Sequence, residues 1–193
     1  MKRELYFKQP FLNAAGSLGF APAAHMPSPW AGAGAFITNP VSLRPRHPTA
    51  KPELIEFPGG FLLHSGLPNP GLRAVLERYA ERWARADLPV IVHLMADRPE
   101  EAGQMVRMLE GVENVMAVEL GFAPRLADDI LYLSIEMCQG ELPLIISLAA
   151  DQLLRIGARI MAEGAAAISL APPRGALPSY DGGEVVEGRL FGP

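Results

Sequence analysis

Short runs of apolar residues recur along the chain, and few polar residues alternate with them. Runs of this kind predict strands that are buried on both faces, as in a parallel sheet. We expect six such strands, at residues 11–14, 35–38, 89–94, 115–120, 142–148 and 166–170. The later strands begin roughly 25 residues apart, which is the spacing of a strand-helix repeat.

The segments between the strands carry helical patterns. Apolar residues at positions i, i+3, i+4, i+7 and i+11 form one helix stripe: Leu72, Val75, Leu76, Tyr79 and Trp83. Further helices are predicted over residues 125–139 and after Asp97 and Asp151, which we interpret as N-caps. Because strands and helices alternate, the fold class is α/β. The spacing fits either a (β/α)8 barrel or an open doubly wound sheet.

Residues 39–71 interrupt this alternation with a long segment rich in proline and glycine. A loop of about thirty residues inside a compact domain is usually a lid or a binding segment. We therefore predict that residues 39–71 form an active-site loop. At 193 residues, of which 49% are hydrophobic, the chain suffices for one domain spanning residues 1–193.

Charge and composition exclude several classes of partner. The formal charge of −4 provides no basic surface, so we expect neither nucleic acid nor an anionic membrane as a partner. No apolar run approaches the ~18 residues of a membrane helix, and the amino terminus lacks a signal-peptide pattern. The lone Cys138 rules out an internal disulfide and favours a reducing compartment, so we expect a cytoplasmic protein.

Two side chains with potential chemistry have simpler interpretations. Cys138 lies late in a predicted helix, and we interpret it as a small buried hydrophobic residue. His93 lies within an apolar strand, where a hydrogen-bonded core histidine is more common than a ligand or a base. The four histidines have no metal-binding spacing, so no metal site is expected.

Three motifs in the first part of the chain resemble a known family. They read Asn13-Ala14-Ala15-Gly16, Pro58-Gly59-Gly60 and Gly66-Leu67-Pro68-Asn69-Pro70-Gly71. Weaker similarities follow at residues 118–120, 144–148 and 188–193. Together they resemble the dihydroorotate dehydrogenase family of FMN-dependent barrels. The resemblance implies a (β/α)8 fold of the TIM-barrel type, incomplete here at about six of eight units.

The resemblance also implies a place for the flavin. Ala14, Ala15 and Gly16 are small residues that would pass close to the isoalloxazine ring. Asn39 stands where the family has a lysine that contacts flavin and substrate. Ser147 stands where a second family lysine polarises the flavin. FMN is thus the implied cofactor, although neither of these two positions carries a positive charge.

Substrate positions are implied in the same way. Leu63 matches a substrate-binding asparagine of the family loop, which continues here through Ser65, Gly66 and Leu67. Gly121 matches another substrate-binding asparagine, at the end of the fourth barrel strand. Both replacements remove an amide that would hydrogen-bond the substrate.

The family's general base, a cysteine or serine, falls where this chain has Ala123 and Pro124. Neither side chain can accept the proton that leaves beside a hydride transfer. The nearest titratable side chain in the long loop is His64, which is a candidate for a substitute base.

Two hypotheses follow for the function. The first is an FMN-dependent oxidoreductase of the dihydroorotate dehydrogenase type, acting on a CH-CH group of a small molecule, with a divergent substrate or unusual residues. The second, which the replaced residues favour, is a non-catalytic scaffold or binding subunit. Its open barrel edge would pair with a second copy or a complementary chain, because unpaired strand edges invite association.

Overall fold

A computed structural model describes residues 4–23, 32–49, 53–123, 126–180 and 182–192. Its strands are β1 (Phe11–Leu12), β2 (Ala33–Ile37), β3 (Glu53–Phe57), β4 (Gly60–His64), β5 (Val90–Met95), β6 (Val115–Gly121), β7 (Leu144–Ala149), β8 (Ala167–Ala171), β9 (Arg174–Pro178) and β10 (Val185–Phe191). Its helices are α1 (Leu72–Ala84), α2 (Pro99–Leu109), α3 (Asp128–Met137) and α4 (Ala150–Ala162).

Six strands form one parallel sheet in the order β1-β2-β5-β6-β7-β8. This order follows the chain, and the sheet curls into a half-barrel of the TIM-barrel type. All six strands predicted from the apolar runs are present, with ends that differ by two residues at most. The prediction of an α/β barrel type is therefore confirmed.

The two faces of the curled sheet carry separate apolar clusters. The inner face contributes side chains from successive strands: Ala35, Ile37, Ile91, Ala117 and Ile145. The outer face packs against the helices and includes Val90, Val92 and Val118. Because residues i and i+2 of a strand share a face, His93 must lie on the same inner face as Ile91.

Helix α1 packs on the outer face through the predicted stripe. Leu72, Val75 and Trp83 are fully buried, and Leu76 and Tyr79 pack at the margin of the same cluster. The indole Nε1 of Trp83 donates a hydrogen bond to the carbonyl of Phe20 over 2.7 Å. This one side chain therefore joins α1 to the connection that leads from β1 to β2.

Asn114 organises the connection between α1 and β5. Its Nδ2 lies within hydrogen-bond distance of the carbonyls of Trp83 (2.8 Å), Ala86 (3.0 Å) and Leu88 (3.0 Å). Its backbone has a φ of 63°, in the left-handed region that asparagine tolerates better than most residues. Asparagine therefore suits this position for two reasons: its amide bonds the three carbonyls, and its backbone tolerates the positive φ.

A second sheet was not predicted. It is antiparallel, with the order β3-β4-β10-β9, and its first two strands form a hairpin inside the segment 39–71. The backbones of this sheet approach closely at glycines. A Cβ would lie 2.1 Å from the Phe191 carbonyl oxygen at Gly60, and 2.4 Å from that of Leu63 at Gly188. Only glycine fits at these two positions.

The second sheet lies at the carboxyl ends of the parallel strands. The Arg189 guanidinium on β10 donates to the carbonyls of Phe122, just after β6, and of Pro172, just after β8. The backbone of the neighbouring Leu190 donates to the Pro173 carbonyl over 2.8 Å. These contacts place the small sheet beside the end of the barrel where TIM-barrel proteins have their active sites.

The two aspartates predicted as N-caps serve another purpose. Helix α2 begins at Pro99 with Arg98 as N-cap, and the Asp97 carboxylate pairs with Arg46 at 2.6 Å. Helix α4 begins at Ala150, so Asp151 lies in its first turn, where it pairs with Arg174. The N-cap predictions were wrong: the N-caps are Arg98 and Ala149, and both carboxylates pair with arginines, one from the long loop and one from β9.

Candidate functional site

A polar layer lies directly above the apolar inner layer of the half-barrel. Two residues beyond Ile91, Ala117, Ile145 and Ala167, each strand carries a polar residue on the same face. On β5 to β8 these residues are His93, Glu119, Ser147 and Ser169. They lie toward the carboxyl ends of the strands, where barrel proteins collect their catalytic and binding groups.

His93, Glu119 and Ser169 form a buried hydrogen-bond network. The Nδ1 atom of His93 lies 2.6 Å from Oε2 of Glu119, and Ser169 Oγ donates to Oε1 of Glu119 over 2.5 Å. The backbone N–H of His93 donates to Thr38 Oγ1 over 3.0 Å. The side chains of His93 and Glu119 are only 11% and 6% exposed. The network links β5, β6 and β8 to Thr38, the residue that follows β2.

The environment of Glu119 favours its ionised form. Burial, the largest single influence, raises the pKa of this carboxyl, but the hydrogen bond and charge attraction of His93, together with the Ser169 hydroxyl, outweigh it. The pKa of Glu119 is therefore below its ordinary value near 4.5. A carboxylate only accepts hydrogen bonds, so Nδ1 of His93 carries the shared proton.

This network predicts how stability depends on pH. A lowered folded-state pKa contributes stability that is present above about pH 4.5 and is lost as the pH falls through the folded pKa. We expect the free energy of unfolding to decline less steeply in acid for Glu119→Gln than for wild type. Urea denaturation between about pH 3 and pH 7 measures this difference. The exposed Glu113→Gln is the matched control and should follow wild type; equal slopes in all three proteins would contradict the prediction.

Gly121 faces the imidazole of His93. A Cβ at residue 121 would lie 2.5 Å from Nε2 and 2.9 Å from Cε1 of His93. Contacts under 3.0 Å are not found for real Cβ atoms, so the ring fills the space that any side chain at this position would need. The glycine and the histidine are therefore a matched pair.

Four of the five residues implied for the flavin, all except Ser147, lie together at the ends of β1 and β2. The Asn13 side chain bonds both the N–H and the carbonyl of Ile37 at 2.7 Å, which fixes the turn that follows. In this turn Ala14 and Gly16 are exposed and Ala15 is half-buried. The Asn39 side chain accepts a hydrogen bond from the backbone of Gly19 over 3.0 Å.

The residues implied for the substrate lie in two separate places. Gly121 ends β6, whereas Leu63 lies on β4 opposite Arg189 in the small sheet. Beyond β4, Ser65 Oγ accepts from the backbone of Leu67 over 3.2 Å. Gly66 and Leu67 both have positive φ, 73° and 50°. The loop geometry is thus set by local backbone interactions.

Ala123, at the family's base position, and His64, the candidate substitute base, lie outside the polar layer. Ala123 is exposed just after β6, and Pro124 lies outside the described residues. Half-buried His64 ends β4. Among the described residues, no hydrogen bond joins His64 to the network of His93 and Glu119. Ser147, the other implied flavin position, is half-buried on β7 within the polar layer itself.

The structure also tests the remaining side chains with chemical potential. Cys138 is buried at the end of α3, and burial raises the pKa of its thiol to about 12, so it behaves as the expected hydrophobic residue. Across the described ranges, no group of three or more His, Cys, Asp or Glu is placed to hold a metal ion. Nor does any helix in those ranges have the length and apolarity to cross a membrane.

Sequence reasoning did not identify Glu119 and Ser169, and it took His93 for a core residue. His93 is buried and hydrogen-bonded, as that interpretation expects. A signal was available nevertheless, since four polar residues occur two positions after inner-face apolar residues of four consecutive strands. Recognising it requires knowing which face of each strand points inward.

Comparisons with known proteins agree with the fold. The family model described as dihydroorotate dehydrogenase matches residues 3–123. The chain is 34% identical over 119 residues to the catalytic subunit of dihydroorotate dehydrogenase B (NAD(+)) of Desulforudis audaxviator, covering 62% of this chain and 39% of that protein. The subunits of the same description from Pyrococcus abyssi and Pyrococcus furiosus are both 32% identical, over 59% and 62% of this chain and 38% and 40% of their own lengths.

The chain thus spans about two fifths of the length of these curated relatives. The match covers the segment from the first strand through β6, which contains the long loop, Gly121 and the His93–Glu119 pair. The chain belongs to the dihydroorotate dehydrogenase family.

Proposed function

We propose that this chain retains the ligand-binding barrel mouth of its family, FMN included, and does not oxidise dihydroorotate through the residues that the family resemblance assigns. The proposal rests on one observation: the polar side chains that the family uses for catalysis are replaced, while the backbone around them is preserved. Asn39 and Ser147 replace the two family lysines, and Ala123 stands at the position of the base, while the turn at residues 14–16 is held by Asn13.

The described residues fit a flavin only in part. The exposed backbone of residues 14–16 offers the close approach that a flat ring needs. No cation stands at residue 39 or 147, and the Asn39 carbonyl oxygen already accepts from Gly19. When bound, FMN would supply hydride transfer, and the described residues of the turn would contact and orient the ring without stabilising a negative charge on it.

The proton transfer that accompanies the hydride transfer also lacks its family residue. Removing a proton beside a hydride transfer requires a base in hydrogen-bond reach of the substrate. Ala123 presents a methyl group, and His64 lies on the small sheet. We therefore expect no turnover of dihydroorotate by the route that the family residues would provide.

The test is the visible absorbance of the purified protein after incubation with FMN and desalting. Spectra before and after anaerobic addition of dihydroorotate separate binding from turnover. Gly16→Ala should lower flavin retention, because Gly16 has a φ of 87° in the proposed contact turn. Gly182→Ala is the matched control, since Gly182 also has positive φ, 72°, but belongs to the β9–β10 turn.

Flavin that is retained and does not bleach is the expected result. Bleaching by dihydroorotate would contradict the proposed loss of the reaction. A colourless protein would contradict the flavin part and favour the scaffold role.

The scaffold role has one observation in its favour. Strand β8 is one of the two edge strands of the described parallel sheet, and its Leu170 is 68% exposed. An exposed apolar edge strand is a template for pairing with another polypeptide, including a second copy. Leu170→Lys should then convert a dimer to a monomer in light scattering, and a wild-type monomer at all concentrations would reject this role for a second copy.

A further inference from the structure

We propose that two copies of this chain form a two-fold symmetric dimer, in which their β8 strands pair antiparallel about Ser169 and their α4 helices pack against each other. The inference deepens the scaffold role of the proposed function by naming the partner and the geometry, and it does not depend on whether FMN is bound. A two-fold interface uses the same surface on both copies, so this surface must be complementary to itself.

The first argument is the direction of the free backbone groups of β8. Within the described residues this strand is paired on one side only, with β7, and on that side the N–H of Ala166 donates to the Leu144 carbonyl over 2.7 Å. Successive residues of a strand direct their backbone groups to opposite sides, so those of residues 167, 169 and 171 point away from β7. These positions are symmetric about Ser169. A second β8 in antiparallel orientation therefore bonds all of them, residue 169 with 169 and residue 167 with 171.

The second argument is the pair of apolar side chains on the outer face of β8. Ile168 packs at the margin of the outer cluster, and Leu170, two residues further along, shares its face. Leu170 is largely exposed. In an antiparallel pair centred on Ser169, Leu170 lies opposite Ile168 of the partner subunit, and the same contact occurs a second time by symmetry. Opposite apolar side chains of this kind stabilise strand pairing.

The third argument is an apolar stripe on α4. Leu154, Ala158 and Met161 occupy positions i, i+4 and i+7 of the helix, and Leu154 is 90% exposed and Met161 43% exposed. The two large side chains lie on either side of the small alanine. When the same helix packs antiparallel on itself, Leu154 meets Met161 of the partner subunit, and Ala158 lies beside the axis, where a small residue permits close approach.

The charged residues of α4 lie on another side of the helix, which faces α3. Arg155 pairs with Asp128, and the Arg159 guanidinium lies 3.8 Å from the centre of the Tyr132 ring. The apolar stripe itself carries no charge. Two copies can therefore approach stripe to stripe without repulsion between like charges.

The helix stripe and the strand edge have their centres at the same level. A Cβ at Gly157 would lie 3.6 Å from Cδ1 of Ile168, so the middle of α4 lies beside the middle of β8. A single two-fold axis, normal to the sheet, thus serves both pairs. Strands about 4.8 Å apart also place the two helices, which are two strands apart, at the usual packing distance of about 8–10 Å. A helix pair and a strand pair of these lengths bury on the order of 1,200 Å² in total, enough for a specific interface.

The first test is the molar mass of the 193-residue chain in light scattering coupled to size-exclusion chromatography. We expect twice the mass of one chain for wild type. Leu154→Glu should weaken the dimer at least about tenfold, because each dimer would bury two unpaired carboxylates. Leu133→Glu is the matched control: Leu133 is an exposed leucine of α3 outside the proposed interface, so this variant should remain a dimer.

The second test examines the position of the axis. Ala158→Cys should form a disulfide between two copies when oxidised by copper phenanthroline in air, since residue 158 lies beside the axis. Ala127→Cys, at the N-cap of α3, is the matched control and should stay largely uncrosslinked. The native Cys138 does not interfere, because it is buried and burial raises the pKa of its thiol to about 12.

Three results would overturn the inference. They are a wild-type monomer at all concentrations, a dimer that neither Leu154→Glu nor Leu170→Lys weakens, and equal crosslinking of Ala158→Cys and Ala127→Cys. If circular dichroism shows that Leu154→Glu does not fold, the crosslinking experiment decides. A yellow monomer would overturn this inference and leave the flavin proposal standing, whereas a colourless dimer would do the reverse.

Discussion

Replacing Trp83 by alanine is expected to lower the free energy of unfolding by about 3–5 kcal/mol, the range for deleting a large aromatic side chain from a core. Trp83 is fully buried in the outer apolar cluster, between α1 and the sheet. The substitution also removes the hydrogen bond to the Phe20 carbonyl, which is part-buried and would lose its partner. Chemical denaturation followed by circular dichroism at 222 nm measures the change.

The matched variant for this experiment is Trp83→Phe. It keeps most of the apolar volume and removes the indole N–H, so its cost should be smaller than that of alanine. The difference in unfolding free energy between the two variants separates the contribution of packing from that of the hydrogen bond to Phe20. A loss below about 1 kcal/mol for the alanine variant would contradict the burial of this side chain, because surface substitutions typically stay within that limit.

Asn114→Asp is expected to destabilise the protein by about 3 kcal/mol, although the two side chains have the same shape. The amide of Asn114 faces three carbonyl oxygens of the α1–β5 connection. A carboxylate in its place would meet these oxygens without a proton to donate, and a partly buried charge without partners costs several kcal/mol. Urea denaturation at neutral pH measures the effect.

The comparison variant is Asn114→Gly, which permits the positive φ of 63° and removes the side chain. It should cost only the lost hydrogen bonds, and therefore less than aspartate at neutral pH. Lowering the pH toward about 4 should narrow the gap to wild type for the aspartate variant alone, since a protonated carboxyl again donates. An aspartate variant as stable as wild type at neutral pH would contradict the arrangement.

The parallel sheet could be predicted because its information is local. Each strand is a short apolar run, and the spacing of the apolar residues from Leu72 to Trp83 matches the period of an α-helix. Strand order then follows from the connection rules of βα repeats, which leave few alternatives. The family motifs selected the barrel over the open sheet, which periodicity alone does not distinguish.

The small sheet could not be predicted because its information is not local. Strand β4 pairs with β10, which lies more than a hundred residues later in the chain, and neither strand alternates cleanly between polar and apolar residues. Asp97 and Asp151 were misassigned for a related reason. Their partners, Arg46 and Arg174, come from segments whose place in space depends on the same distant pairings.

The candidate site also has one part that could be predicted from the sequence and one that could not. Positions that family motifs mark, such as Asn39 and Gly121, could be named from the sequence. The hydrogen bond between His93 and Glu119 could not, because it joins two strands whose relative register sets the contact. A one-residue slip of β5 against β6 would turn one of these side chains to the helices and break the pair.

The glycines of the second sheet explain how a family signature outlasts the chemistry associated with it. At Gly60 and Gly188 the crossing backbones leave no room for a Cβ, so these residues are demanded by the shape of the cover whether or not a reaction takes place beneath it. Polar side chains at the strand ends face no such steric demand and are free to change. A chain that carries the motif therefore shares the backbone shape of the family. Assigning an activity to a chain with this signature requires a separate examination of the side chains at the barrel mouth.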